Sequence, residues 1–220
     1  MSSARAHPIV AGLFGLGVAL AILLTGPLLL FAPPFVHFMQ ARHDVARQLG
    51  TDEATADAAT TAMLGDLLFA GDFSMSIRDD QPVLDASARS HMQDVGGVVR
   101  ALILADLVAL VVAVLAGRRL RGERARRGML LLLAAAGLTV VAIVLAAFFA
   151  VAFDAAFAAF HAIFFRAGTW QFGPDSNLLR FFPEPFWFEI ALVAGATIVL
   201  SALLAAWLGR RDLAAAAAGR

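Results

Sequence analysis

The sequence predicts an all-α membrane protein with four transmembrane helices and a small extracytoplasmic helical cap between spans 1 and 2. Hydrophobic residues make up 60% of the 220 positions, and the mean hydropathy is +0.80, whereas soluble domains are about 45–50% apolar. Four apolar stretches are each long enough to cross a bilayer, which takes roughly 20 residues in a helix. The charged residues lie mostly between these stretches, where they indicate segments outside the hydrocarbon.

These features divide the chain into eight segments. The first four are the N-terminus with the first span (1–34), the cap (35–97), the second span (98–116) and a basic loop (117–128). The others are the third span (129–153), an aromatic-rich segment (154–186), the fourth span (187–209) and a C-terminal tail (210–220). The first apolar run, from Ile9 to about Phe31, is longer than the core of a secretory signal. It therefore predicts an uncleaved span, which Pro27 kinks.

The cap is acidic, with ten Asp or Glu against four Arg in residues 35–97. Within it, Thr51-Asp52-Glu53 predicts the start of a helix that runs to about Ala70, because acidic side chains favour the N-terminal turn of a helix. A loop is expected from Arg78 to Pro82. Asp85 then predicts the cap of a further helix, which continues into the second span and is loosened at Gly96-Gly97.

The loop between the second and third spans is strongly basic, with six Arg and one Glu in residues 117–127. The positive-inside rule predicts that this loop is cytoplasmic, and Arg210 and Arg211 after the fourth span agree. Both chain ends are then cytoplasmic, and the cap and the aromatic-rich segment share the outer face. A second role for the loop is the binding of anionic lipid headgroups. The loop is too short for nucleic-acid binding to be expected.

His161 is a single ionisable ring within an aromatic region. Of the 18 Phe, twelve lie between positions 148 and 188, together with two Trp. On a helix continuing from the third span, Phe153, Phe157 and His161 share one face. Two interpretations stay open: His161 belongs to an interfacial aromatic belt, or it acts as a general acid or base.

His91 is a second candidate, at the outer mouth of the second span. Asp94 follows three residues later on the same helical face, where a carboxylate can orient the imidazole. The alternative is a solvated residue with a chance neighbour. Two histidines on one side of the membrane, one near an acid and one among aromatic rings, fit acid–base chemistry at the interface.

Other polar residues near the membrane have less specific surroundings. Asp106 lies midway along the second span, where it is either a relay or, as we favour, a structural hydrogen-bonding group. Arg100 and Arg166 lie near the outer boundary of the membrane. Each can bind a lipid phosphate or a carboxylate, or simply extend its charged end to the membrane–water interface. Glu184 stands between two prolines in a predicted extended turn, where it can pair with Arg180 or Arg166.

Several kinds of site are excluded. The chain has no Cys, which excludes disulfides, thiolate nucleophiles and Cys-ligated metals. It has no Gly-rich phosphate loop, no H-E-x-x-H and no G-x-S-x-G, and no cofactor is expected. A metal held by His91, Asp94 and His161 would make a membrane hydrolase, but that ligand set is thin.

Four short motifs carry a resemblance to a known family. They are F-H-x-x-F-F (Phe160, His161, Phe164, Phe165), W-x-F (Trp170, Phe172), F-P-E-x-F (Phe182, Pro183, Glu184, Phe186) and, in the cap, H-M-x-D-V (His91, Met92, Asp94, Val95). Together with the four spans and the order of the motifs, they resemble the lipoprotein intramolecular transacylase family, Lit, over nearly the whole chain. Members often carry a basic residue after the D-V, where this chain has Gly96-Gly97.

The resemblance implies an acyltransferase that moves the sn-2 acyl chain of a diacylglyceryl-modified lipoprotein to the α-amino group of its N-terminal Cys. The family's two catalytic histidines match His91 and His161, and Asp94 is a hypothetical orienting residue. An aromatic-walled, dehydrated pocket suits this reaction. The substrate-binding residues implied are Phe157, Phe160, Phe164, Phe165, Trp170, Phe172, Arg166 and Glu184.

The resemblance implies that the partners are diacylated bacterial lipoproteins and membrane lipids, and that nucleic acid is not a partner. It also implies a monomer in the bacterial plasma membrane. The implied active site is extracytoplasmic, and no cofactor or metal is required. The competing interpretation is non-enzymatic: an accessory or scaffold protein that binds lipid or a partner at its outer face.

Overall fold

The computed structural model describes residues 8–77 and 82–219, and this part of the chain is almost entirely helical. It contains no strand, only an isolated bridge between Ser76 and Pro82. The expected all-α fold is therefore confirmed. Most of the loop expected at 78–82, and residues 1–7 and 220 of the two terminal segments, lie outside the described residues.

The described residues form helices α1 to α9. Their bounds are Pro8–Leu29 (α1), Pro33–Arg42 (α2), Val45–Leu49 (α3), Glu53–Phe69 (α4), Ala86–Arg119 (α5), Arg124–Val151 (α6), Phe153–Phe164 (α7), Asn177–Phe181 (α8) and Glu184–Ala218 (α9). Of these, α1, α5, α6 and α9 are long and apolar enough to cross a membrane. The four predicted spans are thus confirmed, and the chain is an integral membrane protein.

Two acidic residues begin cap helices, as their sequence context predicts. The Asp52 carboxylate accepts the backbone N–H of Thr55 at 2.9 Å before α4, and this bond keeps the pKa of Asp52 below its usual value. The Asp85 carboxylate accepts the N–H of Ala88 at 2.8 Å before α5. Each bond satisfies an N–H that has no partner within the first helical turn.

Helix α5 runs without a break through Gly96 and Gly97, so the loosening expected there is not found. Gly96 serves a packing purpose instead. A Cβ at this position would lie 2.8 Å from the guanidinium of Arg100, which donates to the carbonyl of Leu67 at 2.7 Å. That carbonyl lies in the last turn of α4, where backbone acceptors have no helical partner.

Two helix boundaries near the aromatic-rich segment differ from expectation. The helix expected to continue from the third span is interrupted at Ala152, whose φ of −143° and ψ of 56° are not helical, so α7 is separate from α6. Glu184 begins α9 rather than lying in an extended turn. Pro185 is tolerated there because the first helical turn needs no N–H from it.

The chain forms two compact units. Among the described residues, the first comprises 8–28, 102–147 and 193–219, with parts of all four apolar helices. Its core includes Phe14, Ile22, Leu120 and Leu131. The buried Asp106 accepts from the Thr25 hydroxyl at 2.9 and 3.1 Å, which agrees with the structural role favoured from the sequence.

Glycines allow two helices of the first unit to touch. A Cβ at Gly209 of α9 would lie 2.8 Å from the Gly128 carbonyl of α6, and one at Gly128 would lie 2.6 Å from the Gly209 carbonyl. The Arg127 guanidinium donates two hydrogen bonds to the Asp212 carboxylate beside this crossing. Close approach through small residues is a common packing mode of membrane helices.

The second unit comprises residues 29–101 and 148–192. Its core joins cap residues such as Met63, Leu84 and Met92 to Phe181 and Phe186 of the aromatic region. The Gln40 amide donates to the Phe181 carbonyl at 3.1 Å, and its own oxygen accepts from the Thr60 hydroxyl at 2.7 Å. This network fixes α8 against the cap.

We expect Gly209→Ala to lower the free energy of unfolding by about 1–3 kcal/mol, the usual cost of overpacking. The matched control is Gly137→Ala in α6, where a Cβ meets no atom within 4 Å and where alanine favours the helix. Thermal unfolding of both variants in detergent measures the difference. Equal stability of the two variants would contradict the close packing of α6 and α9.

Candidate active site

His161 lies on α7 with a fixed ring orientation. Its ring Nδ1 lies 2.8 Å from the carbonyl oxygen of Phe157, one helical turn earlier. A carbonyl only accepts hydrogen bonds, so Nδ1 carries the hydrogen and the neutral ring presents its lone pair at Nε2. His161 is only 8% exposed. Burial lowers its pKa below the ordinary value, partly opposed by the bond to Phe157.

Aromatic rings surround His161 on several sides. The ring centroids of Phe157 and Trp170 lie 4.1 and 4.7 Å away, with interplanar angles of 38° and 32°. Those of Phe160 and Phe165 each lie 5.5 Å away. His161 therefore faces a largely apolar enclosure, which we call the aromatic enclosure.

His91 belongs to the same enclosure. It lies in the second turn of α5, is 6% exposed, and its ring centroid is 4.9 Å from that of Phe165 and 5.5 Å from that of Phe172. The rings of His91 and His161 stack at 6.0 Å with an interplanar angle of 27°. Two histidines 70 positions apart in sequence are thus neighbours, and Phe165 touches both.

The Nδ1 atom of His91 is buried and has no hydrogen-bond partner among the described residues. Leaving a buried polar atom without a partner is costly. Buried side-chain atoms of His43, Arg89 and Ser176 also have no partner there, so this feature is not specific to a ligand site. The ring nitrogen whose lone pair is available to a bound molecule is Nε2 of His161.

Four of the predicted site residues do not join the two histidines. Asp94 is exposed, and the described residues show no hydrogen bond or ion pair between it and His91; their interaction is electrostatic only. Phe164 is 42% exposed and packs on Phe160 and Phe165. Arg166 and Glu184 are both exposed.

The ion pair expected between Glu184 and Arg180 or Arg166 is not found among the described residues. Arg180 instead donates to the side chain of Asn177 at 3.0 Å. Because Glu184 lies in the first turn of a helix rather than in an extended turn, its backbone position differs from the one assumed. A charged contact of either residue with substrate therefore stays a prediction.

One contributor to the enclosure is not among the site residues inferred from sequence. The ring centroid of Trp187 lies 6.3 Å from that of Phe157 and 5.7 Å from that of Phe182. Trp187 directly follows the F-P-E-x-F motif, which is the signal that points to it. Within the described residues, no group of three His, Cys, Asp or Glu is placed to hold a metal, so a third ligand for the metal hypothesis is not found there.

The chain matches a protein-family model and three solved chains. The profile described as lipoprotein intramolecular transacylase Lit matches residues 13–187, whereas no curated protein matches. The structure of the membrane integral lipoprotein intramolecular transacylase Lit from Bacillus cereus is similar at a TM-score of 0.82 and 17% identity, covering 94% of this chain and 95% of that chain. A variant of that protein with one histidine substituted matches at 0.78 and 16% identity, covering 97% and 94%. At such identities the likeness shows the fold alone.

We expect Trp170→Ala to raise the pKa of His161 towards its ordinary value, because the substitution admits water to a ring whose pKa burial now lowers. The control is Phe164→Ala, which removes a ring of the same segment that is not in contact with His161. Histidine NMR titration of both variants in detergent measures the shift. An unchanged His161 pKa in Trp170→Ala would contradict the enclosure as the source of desolvation.

Proposed function

Since the chain belongs to the lipoprotein intramolecular transacylase family, we propose that it moves the sn-2 acyl chain of a diacylglyceryl-modified lipoprotein to the α-amine of the N-terminal Cys. The observation that carries this proposal is the buried histidine pair, 6.0 Å between ring centroids, inside one aromatic enclosure. The product is a lyso-form lipoprotein. The proposed active site is on the extracytoplasmic face, as the basic loop and the positive-inside rule support.

The reaction needs one proton to move from nitrogen to oxygen. The amine nitrogen forms a bond to the ester carbonyl carbon, and the bond from that carbon to the glycerol oxygen breaks. The N-terminal ammonium first releases one proton to solvent; the neutral amine then attacks and loses a second proton from nitrogen, and the departing alkoxide gains one. One neutral imidazole that accepts the nitrogen proton and a second that helps to pass it to the oxygen are sufficient for this exchange.

The hydrogen bond of His161 supports its assignment as the base. With Nδ1 donating to the Phe157 carbonyl, Nε2 is free to accept the proton of the substrate amine. We assign His91 to the leaving glycerol oxygen because its ring stacks beside His161; the neutral His91 relays to the alkoxide the proton that His161 takes from nitrogen. The net charge of the site is unchanged at the end of the reaction.

The enclosure contributes by excluding water and by orienting the substrate. Amine and ester belong to one molecule, so holding them in contact replaces most of the entropy cost of a bimolecular reaction. Apolar walls disfavour hydrolysis of the ester by limiting the access of water. For Asp94 we propose a supporting electrostatic role towards His91, with no direct bond to its ring.

We expect His91→Ala and His161→Ala each to lower the transfer rate by about 10²–10⁴-fold, the usual contribution of general acid–base catalysis. The control is His37→Ala, a histidine of the cap that pairs with Asp57. A synthetic diacylated lipopeptide is incubated with each purified protein. Because substrate and product have equal mass, fragmentation mass spectrometry locates the acyl chain.

Two outcomes would contradict this proposal. A wild-type protein that leaves the acyl chain on glycerol would favour the accessory or scaffold function. Full transfer by either active-site variant would remove that histidine from the mechanism. Loss of transfer in His37→Ala as well would show that the assay reports folding rather than chemistry.

The rate is expected to fall on acidification with a midpoint below the ordinary histidine pKa of about 6.5. His161 must be neutral to accept a proton, and burial lowers its pKa, so it stays neutral until the pH falls below that value. Trp170→Ala is expected to move the midpoint to higher pH. Initial rates measured from the same lipopeptide across pH test both statements, and a midpoint that does not move would contradict His161 as the titrating base.

A further inference from the structure

Six arginines of the first unit form an exposed group with no described acidic partner. They are Arg118, Arg119, Arg121, Arg124, Arg210 and Arg211, and all are exposed; we call them the arginine cluster. The two other described arginines nearby are already paired, Arg126 with Glu123 and Arg127 with Asp212. The described acids of this region are thus engaged, and the cluster carries uncompensated positive charge.

The packing of the first unit places arginines from two parts of the chain at the same level. Gly128 of α6 and Gly209 of α9 are in backbone contact, and Arg127 binds Asp212 through two hydrogen bonds. Arg210 and Arg211 lie between Gly209 and Asp212 in sequence, so they are at the level of this crossing, although they leave α9 on faces other than the one that contacts α6. Arg124 lies one helical turn before Gly128 on α6.

The remaining three arginines lie at the end of α5, next to the start of α6. Hydrogen bonds of 3.4 Å from the Arg121 N–H to the Arg118 carbonyl and 2.9 Å from the Glu123 N–H to the Leu120 carbonyl form a tight turn. Leu120 is fully buried at this turn, which leaves the flanking guanidinium groups outside. The turn therefore presents its arginines at the ends of two apolar helices.

An exposed tryptophan indicates where this cluster lies relative to the bilayer. Trp207 of α9 is 52% exposed, and the Arg211 guanidinium lies 4.7 Å above its ring. Tryptophan is enriched at the level of lipid headgroups. Positive charge beside it is at the level of the lipid phosphates, to which it is attracted.

We propose that the arginine cluster binds the phosphate headgroups of anionic phospholipids in the adjoining leaflet. The arginine cluster shares no residue with the histidine pair, and the proposal does not depend on acyl transfer. Anionic lipid fits better than a soluble anion because the arginines lie where apolar helices end and where Trp207 marks the interface. A short polybasic segment beside a membrane helix attracts anionic lipid in this way.

The test is native mass spectrometry of the full-length protein in detergent, titrated with phosphatidylglycerol or with phosphatidylcholine of identical acyl chains. We expect tighter binding of phosphatidylglycerol, weakened by salt. Arg124→Gln with Arg210→Gln is expected to weaken it by about 25-fold, from about fivefold per basic residue. Arg124→Lys with Arg210→Lys keeps the charge and is expected to retain most of the binding, which shows that the site still folds.

The matched control removes two charges elsewhere, by Arg42→Gln with Arg47→Gln, whose guanidinium groups already pair with Glu189 and Asp44. This control is expected to bind phosphatidylglycerol like wild type. Equal affinity for the two lipids, an equal loss in the control, or an equal loss in the lysine variant would overturn the proposal. Inorganic phosphate that binds as tightly as the lipid would overturn it too, because the site would then recognise a soluble anion.

Discussion

The hydrogen bond from His161 to the Phe157 carbonyl is the interaction on which the site depends. It joins residues four apart on one helix, so the geometry of α7 itself supplies the acceptor. A backbone carbonyl has two lone pairs and can accept a side-chain donor besides its helical N–H. The bond fixes both the orientation of the ring and the nitrogen that stays free. Because α7 begins anew after Ala152, this short helix carries the histidine independently of α6.

The cap fixes the segment that carries Trp170 and Phe172, which is the part of the aromatic enclosure that follows α7. Gln40 and Thr60 are almost fully buried polar residues, and their hydrogen bonds reach the Phe181 backbone. The side-chain amide of Asn177, the first residue of α8, donates to the Val83 carbonyl at 2.8 Å. These bonds replace the water that the buried groups would otherwise need. The segment that carries Trp170 and Phe172 is thereby tied to the cap at its C-terminal end.

Much of the fold follows from hydropathy and helix-start chemistry, whereas the site does not. The four spans are visible as long apolar runs, and Asp52 and Asp85 mark helix starts because local side-chain acceptors determine where a helix begins. The pairing of His91 with His161 depends on contacts between segments 70 positions apart, which no periodicity reveals, and here the family motifs pointed to it. Glu184 and Asp94 were assigned from neighbours in sequence. A charged side chain on a helix surface orients towards water unless a buried group of opposite charge pairs with it.

An apolar enclosure around two histidines favours a reaction whose charge is transient. Burial disfavours charged imidazole, so the resting pair is neutral and costs less than a buried carboxylate would. In the proposed reaction His161 accepts the amine proton and becomes a cation beside the rings of Phe157 and Trp170, whose centroids lie 4.1 and 4.7 Å away. Aromatic faces attract cations, more strongly once water is excluded. Burial still keeps the pKa of His161 below its ordinary value, so these rings offset only part of the desolvation cost and the cation readily gives up its proton.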